Sequence, residues 1–298
     1  MRDVDPLHYD EFGLFAENVE EYGLEVEIPP VSRFFLPVDG LRQVSGLRWG
    51  EGEPELVLLH GGAQNAHTFD TVALALGRPL LALDLPGHGH SDPTPYPPAD
   101  VPHHARDLAT ALEALIDRPL AIVGMSLGGL CAIELVATRP ELARALVLID
   151  VTPGVTADKA RQITDFLNGP ASFADFEEIL ARTVAHHPTR SVSSLRRGIL
   201  HNAVQREDGS WVWRHQRGGP RPLEAPGGID LWGRLAAVRV PVTLVRAMGP
   251  GSVVDDADEA ELLRRAPTAS VVHVEGSGHS IQGDRPVELA AVLASALF

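Results

Sequence analysis

The chain predicts an α/β protein: a mainly parallel sheet flanked by helices, with a mostly helical cap inserted late in the sequence. Three observations predict it. Short apolar runs alternate with helical stretches from residue 31 onward, the pattern of a parallel sheet whose crossovers are helices. Several runs are continuously apolar, as strands buried on both faces must be. The interval 151–241 breaks the alternation and is too long for one crossover.

Residues 1–30 come first and differ from the rest. Asp3, Asp5, Asp10, Glu11, Glu17, Glu20, Glu21, Glu25 and Glu27 stand against Arg2, so the segment supplies −8 of the net charge of −15. Leu7, Phe12, Leu14, Phe15, Val19, Tyr22, Leu24 and Val26 are too many apolar residues for a solvated tail, and Pro29-Pro30 closes it. We expect an acidic arm. It is either a partly ordered extension or a segment that packs on a second subunit and builds a homo-oligomer.

Strands are expected at 32–37, 42–49, 55–60, 79–84, 120–123, 145–150, 242–247 and 270–275, which makes eight. Helices are expected at 68–76, 102–116, 127–138, 257–265 and 285–297. The core then comprises 31–150 and 236–298, and the cap 151–235. Within the cap, 171–186 and 190–204 read as helices and Gly209-Ser210-Trp211-Val212-Trp213 as a short strand. The stretch from Gly218-Gly219-Pro220 to Pro226-Gly227-Gly228 reads as loop. Trp211 and Trp213 alternate as on a strand and should share a face, either lining a pocket or holding the cap down.

Composition removes several function classes. Of 298 residues 44% are hydrophobic and 22% charged, the balance of a globular protein rather than a disordered one. A net charge of −15 argues against nucleic acid and anionic membranes as partners. No apolar run reaches the ~18 residues of a membrane span. Met1-Arg2-Asp3-Val4-Asp5 lacks the apolar stretch of a signal peptide, so a cytoplasmic location is expected. Cys131 is the only cysteine, which excludes an intrachain disulfide and a thiolate metal cluster.

The chemistry is carried by Gly124-Met125-Ser126-Leu127-Gly128, which follows one expected strand and opens one expected helix. Glycines at both ends permit a tight turn that lifts the serine hydroxyl clear of the backbone at the positive end of a helix. A nucleophilic serine needs a base, because its hydroxyl is barely ionised at neutral pH. Among thirteen histidines, His279 stands out. It follows the last strand in Gly276-Ser277-Gly278-His279, which places it at the same sheet edge as Ser126. His60, His88 and His90 lie on other strand ends and loops. His103-His104 and His186-His187 fall on helices, where adjacent residues face apart, and are expected at the surface or in supporting positions. No third ligand converges with them, so no metal site is expected. An anionic intermediate needs donors, for which the amides of Gly62, in His60-Gly61-Gly62, and of Leu127 are placed.

These segments, with Asp84-Leu85-Pro86-Gly87-His88-Gly89-His90-Ser91-Asp92, resemble the α/β-hydrolase superfamily from about residue 32 onward. The resemblance implies an eight-stranded, mainly parallel sheet, a serine hydrolase mechanism and no cofactor. It also implies that the Asp84–Asp92 loop is structural.

One position departs from the family pattern. The triad acid usually follows the seventh strand, here in Arg246-Ala247-Met248-Gly249-Pro250-Gly251-Ser252, and Ser252 stands about where an aspartate is usual. Asp255, Asp256 and Asp258 come later, but acids in a first helical turn are explained by capping and the helix dipole. Asp150 ends the strand beside the nucleophile strand, where a lone charge is costly unless paired. We therefore assign Asp150 as the acid, with Asp255 as the alternative. An acid after the sixth strand, together with the acidic arm, resembles the lactonases that open the macrolactone zearalenone; that layout implies an internal ester and a bulky aromatic pocket. A carboxylic-ester or lactone hydrolase is thus the expected activity. A C–C bond hydrolase of ring-cleavage products and a non-catalytic ligand receptor share the same motifs.

Overall fold

The computed structural model describes residues 9–97, 99–217 and 229–298. Two expected features fall partly or wholly outside that range: the first eight residues of the arm and the loop at 218–228. The core is one eight-stranded sheet. Its strands are β1 (Val31–Pro37), β2 (Gln43–Trp49), β3 (Leu56–Leu59), β4 (Leu80–Leu83), β5 (Leu120–Met125), β6 (Ala143–Ile149), β9 (Val242–Ala247) and β10 (Ser270–Val274). A separate hairpin of β7 (Ala203–Gln205) and β8 (Trp211–Trp213) lies in the cap. The sheet order is β1-β2-β4-β3-β5-β6-β9-β10. β2 runs antiparallel to both β1 and β4, and every other pair is parallel. The eight expected strands are all present.

The two faces of the sheet follow from the side-chain period of two. Val57, Leu59, Leu81, Leu83, Ile122, Leu146 and Leu148 point into one apolar layer. Leu56, Leu58, Leu80, Ala82, Ala121, Val123 and Val147 point into the other. Helices α3 (Val101–Leu115), α4 (Leu127–Thr138), α8 (Leu231–Ala237) and α9 (Asp256–Arg265) lie on the first layer's side. Helices α2 (Asp70–Leu76) and α11 (Pro286–Leu297) cover the second. A strand with both faces covered has no polar side to offer, which explains the continuous apolar runs. No helix among the described residues is long and apolar enough to cross a membrane.

The cap carries α5 (Arg161–Leu167), α6 (Phe176–His186), α7 (Val192–Asn202) and the β7–β8 hairpin. Phe173, Ile179, Ile199, Leu200, Ala203 and Trp211 form its own small core, with Leu14 of the arm. Helix α8 crosses the expected boundary at 235/236, and its Leu231 and Leu235 pack into the sheet's layer. The arm holds a helix that the sequence reading did not place, α1 (Phe15–Tyr22), closed by Gly23 in the left-handed conformation. Phe15 is buried against Trp49 with ring centres 4.8 Å apart. Glu11 pairs with Arg33 of β1, and Glu21 with Arg197 of the cap. Among the described arm residues, Phe12, Phe15, Val19, Leu24 and Val26 pack on the sheet's second apolar layer and Leu14 on the cap core.

Candidate active site

Ser126 occupies the turn between β5 and α4 with φ 51° and ψ −121°, a region that an L-residue holds only under constraint. The constraint is close packing. A Cβ on Gly128 would lie 2.3 Å from the Leu59 carbonyl oxygen, and one on Gly124 2.5 Å from the Gly128 carbonyl oxygen. Only glycines let β5, α4 and β3 approach this closely. Ser126 stands at the N-cap of α4, yet its side chain makes no capping bond. Its hydroxyl is not committed to the helix.

His279 lies between β10 and α10 (Ile281–Asp284). Its Nδ1 donates to Asp150 Oδ2 at 2.9 Å. That bond sets the tautomer and leaves Nε2 as the acceptor. Nε2 is buried and has no partner among the described residues. His279 and Ser126 line the same cavity.

Asp150 ends β6 and is fully buried. Its own φ is 44°, so the chain bends sharply where the carboxylate must project. Oδ1 accepts from the Ala247 amide at 3.0 Å and the Ser252 hydroxyl at 2.7 Å. Oδ2 accepts from the Val253 amide at 3.2 Å as well as from His279. Four donors satisfy a buried carboxylate that would be costly if unpaired. Ser252, standing about where the family usually keeps an acid, donates to the acid from the neighbouring strand instead.

Asp255 does something else. It caps α9 by accepting from the Asp258 amide at 2.9 Å, in a reciprocal capping box with the Asp258 side chain. It also pairs with Lys159 at 2.8 Å. These contacts hold its carboxyl below the usual range, Lys159 contributing most.

Gly62 and Leu127 meet at the cavity wall: a Cβ on Gly62 would sit 3.9 Å from Leu127 Cδ2. Leu127 is the first residue of α4, and a helix's first amides have no intrahelical acceptor. Both residues line the same cavity as Ser126 and His279.

The remaining histidines divide by contact. His60 is fully buried; its Nε2 accepts from the Leu85 amide and its Nδ1 donates to the Gly61 carbonyl. Burial pushes it down to about 4. His88 donates to the Pro86 carbonyl and lines the cavity. His103 pairs with Asp100 at 2.7 Å. His104 is buried at 1% exposure and meets the His88 ring edge-on, the supporting rather than the surface position. His186 and His187 line the cavity. Trp211 is buried in the cap core and Trp213 packs against the same cluster, as residues two apart on a strand should, and Trp213 also lines the cavity.

Sequence reasoning missed one buried network. His67 Nδ1 bonds Asp70 at 2.9 Å, and its Nε2 bonds Glu11 of the arm at 3.0 Å. Burial opposes charge on His67, but Asp70 and Glu11 outweigh it and push the imidazole up to about 9. The ring stacks on His201 of the cap at 3.8 Å with planes 7° apart, and Tyr9 hydroxyl meets His201 Nδ1 at 2.5 Å. Donor atoms of His67, Asp70 and His201 lie within 4.8 Å of one another. Both His67 nitrogens are already bonded to carboxylates, and parallel stacked rings do not aim their lone pairs at one point. The arrangement is a hydrogen-bonded clasp between arm, core and cap. No local motif announces it, because its members come from three distant segments.

The cavity between cap and core has a volume of about 2070 Å³, larger than the ~300–1,000 Å³ of common ligand pockets. Its walls include Gln64, Phe166, His187, Trp213 and His279.

Comparison with known proteins places this geometry among relatives. Residues 56–292 match a family described as Alpha/beta hydrolase family. The chain is 42% identical to the esterase Rv0045c of Mycobacterium tuberculosis over 97% of this chain and 96% of that protein. A solved structure of that esterase superposes with a TM-score of 0.84 at 40% identity, covering 97% of this chain and 99% of the other. Lipase LipV of the same organism is 28% identical over 84% of this chain and 96% of its own length. The structure of E-2-(acetamidomethylene)succinate hydrolase, at 22% identity and a TM-score of 0.79, covers 90% of this chain and 99% of that one and shares the fold.

Proposed function

Because the chain belongs to the alpha/beta hydrolase family, we propose that it is a serine hydrolase that cleaves a carboxylic ester through an acyl-enzyme. One observation carries the reading: Asp150 holds His279 by Nδ1, and the free Nε2 is buried in the wall of a cavity that Ser126 also lines. In this mechanism Ser126 Oγ attacks the ester carbonyl while His279 Nε2 takes the hydroxyl proton. The Gly62 and Leu127 amides stabilise the oxyanion. The imidazolium returns its proton to the leaving alcohol as the carbon–oxygen bond breaks. Water, deprotonated by His279, then releases the acid and restores Ser126. Asp150 stabilises the imidazolium in both halves.

The relatives named above include an esterase and a lipase, which favours an open ester over a macrolactone such as zearalenone. Lactones remain in scope as internal esters. The test is a screen of purified protein against nitrophenyl esters, lactones and a diketone ring-cleavage product, with fluorophosphonate labelling. Multiple turnover of an ester, abolished by the label and lowered roughly 10³-fold or more by Ser126→Ala, is expected. Turnover of only the diketone would replace the reading with C–C hydrolysis. Binding without any turnover would replace it with a receptor.

A further inference from the structure

Arg190 lies in the loop joining α6 to α7, and its side chain lines the cavity beside the His279 segment. The guanidinium lies against Gly283: a Cβ there would be 2.6 Å from Cζ and 2.7 Å from both Nη atoms. The fold thus leaves the room that this cation occupies.

Three arginines line the cavity among the described residues. Arg217 gives its donors to the carbonyls of Leu167, Gly169 and Pro170. Arg197 bonds Asn18, Ser193 and Glu21. Among the described residues the Arg190 side chain makes one hydrogen bond, from Nη2 to Ser194 Oγ at 3.1 Å. Its Nε is buried with no acceptor. The nearest carboxylate paired with it, Asp284 Oδ1, stands 3.9 Å away, and the other Asp284 oxygen is taken by the Gly278 amide. Burial pushes the Arg190 guanidinium down from its ordinary value, with Asp284 opposing.

A guanidinium carries five N–H donors; in Arg190 the Nε is buried without a partner while the side chain keeps 20% exposure, so donors remain for a ligand that enters the cavity. The planar fork matches a carboxylate with two parallel bonds. We propose that Arg190 is an anion subsite of this cavity, and that the substrate is an ester bearing a second, free carboxylate. The inference deepens the ester-hydrolase reading and rests on it.

The experiment compares nitrophenyl hydrogen glutarate with nitrophenyl valerate, esters of equal chain length that differ in the terminal carboxylate. The wild-type protein should favour the glutarate ester in kcat/KM. Arg190→Gln should lower the glutarate-to-valerate ratio at least tenfold, mainly through KM, and Arg190→Lys should restore part of it. Free glutarate, titrated calorimetrically into the wild-type protein, should bind and should weaken at least tenfold in Arg190→Gln. Melting curves confirm that both variants are folded. Valerate turnover with a ratio insensitive to Arg190 overturns the subsite and leaves the esterase intact. Arg190-dependent glutarate binding without turnover of either ester keeps the subsite and overturns the esterase. Neither turnover nor binding overturns both.

Discussion

At the scale of single residues, the acid is where this chain departs from the common pattern. The sequence suggested the exchange, because Asp150 ends an apolar strand and Ser252 stands about where a carboxylate is usual. In the structure Ser252 and two backbone amides donate to the Asp150 carboxylate. Asp150→Asn keeps the shape but removes the charge opposite the imidazolium, and it should lower kcat roughly 10²- to 10⁴-fold. Asp255→Asn keeps a capping side chain and should leave kcat near wild type. Both are to be measured at saturating ester. A crippled Asp255→Asn beside a normal Asp150→Asn would reverse the assignment. Ser126, His279, Gly62 and Leu127 were legible for a common reason: each is tied to a short glycine-bearing motif at the carboxyl end of a strand. Arg190, His67 and His201 were not legible. Their partners come from distant segments, and nothing in their local spacing distinguishes them from surface charges.

At the scale of elements, the sheet was readable because strands buried on both faces leave continuous apolar runs. The short helices α1, α5 and α8 were missed because an acidic or mixed-polarity stretch of seven or eight residues has too few turns to display a period. Helix α1 nonetheless binds the arm to the core. Phe15, at 2% exposure, sits among Trp49, Phe12 and His67. Phe15→Ala should therefore cost about 3–5 kcal/mol in denaturant unfolding, a penalty that a solvated arm would not show. A loss below ~1 kcal/mol would mean that the arm is only loosely docked. Because the same arm carries Glu11 to His67 and Glu21 to Arg197, the variant should also shift ester KM through the cap.

At the scale of the whole molecule, the histidines set a pH window for stability. Burial drives His60, His90, His187 and His215 each down to about 4, and it lowers His88 and His201 as well. Below about pH 6.5 the unfolded chain binds protons on these rings that the folded chain does not. Stability must then fall as pH drops from about 6.5 towards 4, by about 1.4 kcal/mol per pH unit for each ring held fully neutral. His67 acts with the opposite sign. Its raised value, about 9, gives a contribution that is complete below about pH 6.5 and lost as pH rises through 9. Several rings oppose one, so the acid limb should be the steeper. Melting temperatures taken from pH 4.5 to 9.5 should peak near pH 6.5–7. His67→Gln should flatten the alkaline limb while the acid limb stays steep, since the rings that cause it are untouched. A melting temperature that climbs steadily towards pH 5 would show that these histidines take up protons in the folded state. The buried rings around the cavity would then have to find carboxylate or solvent partners by moving the cap.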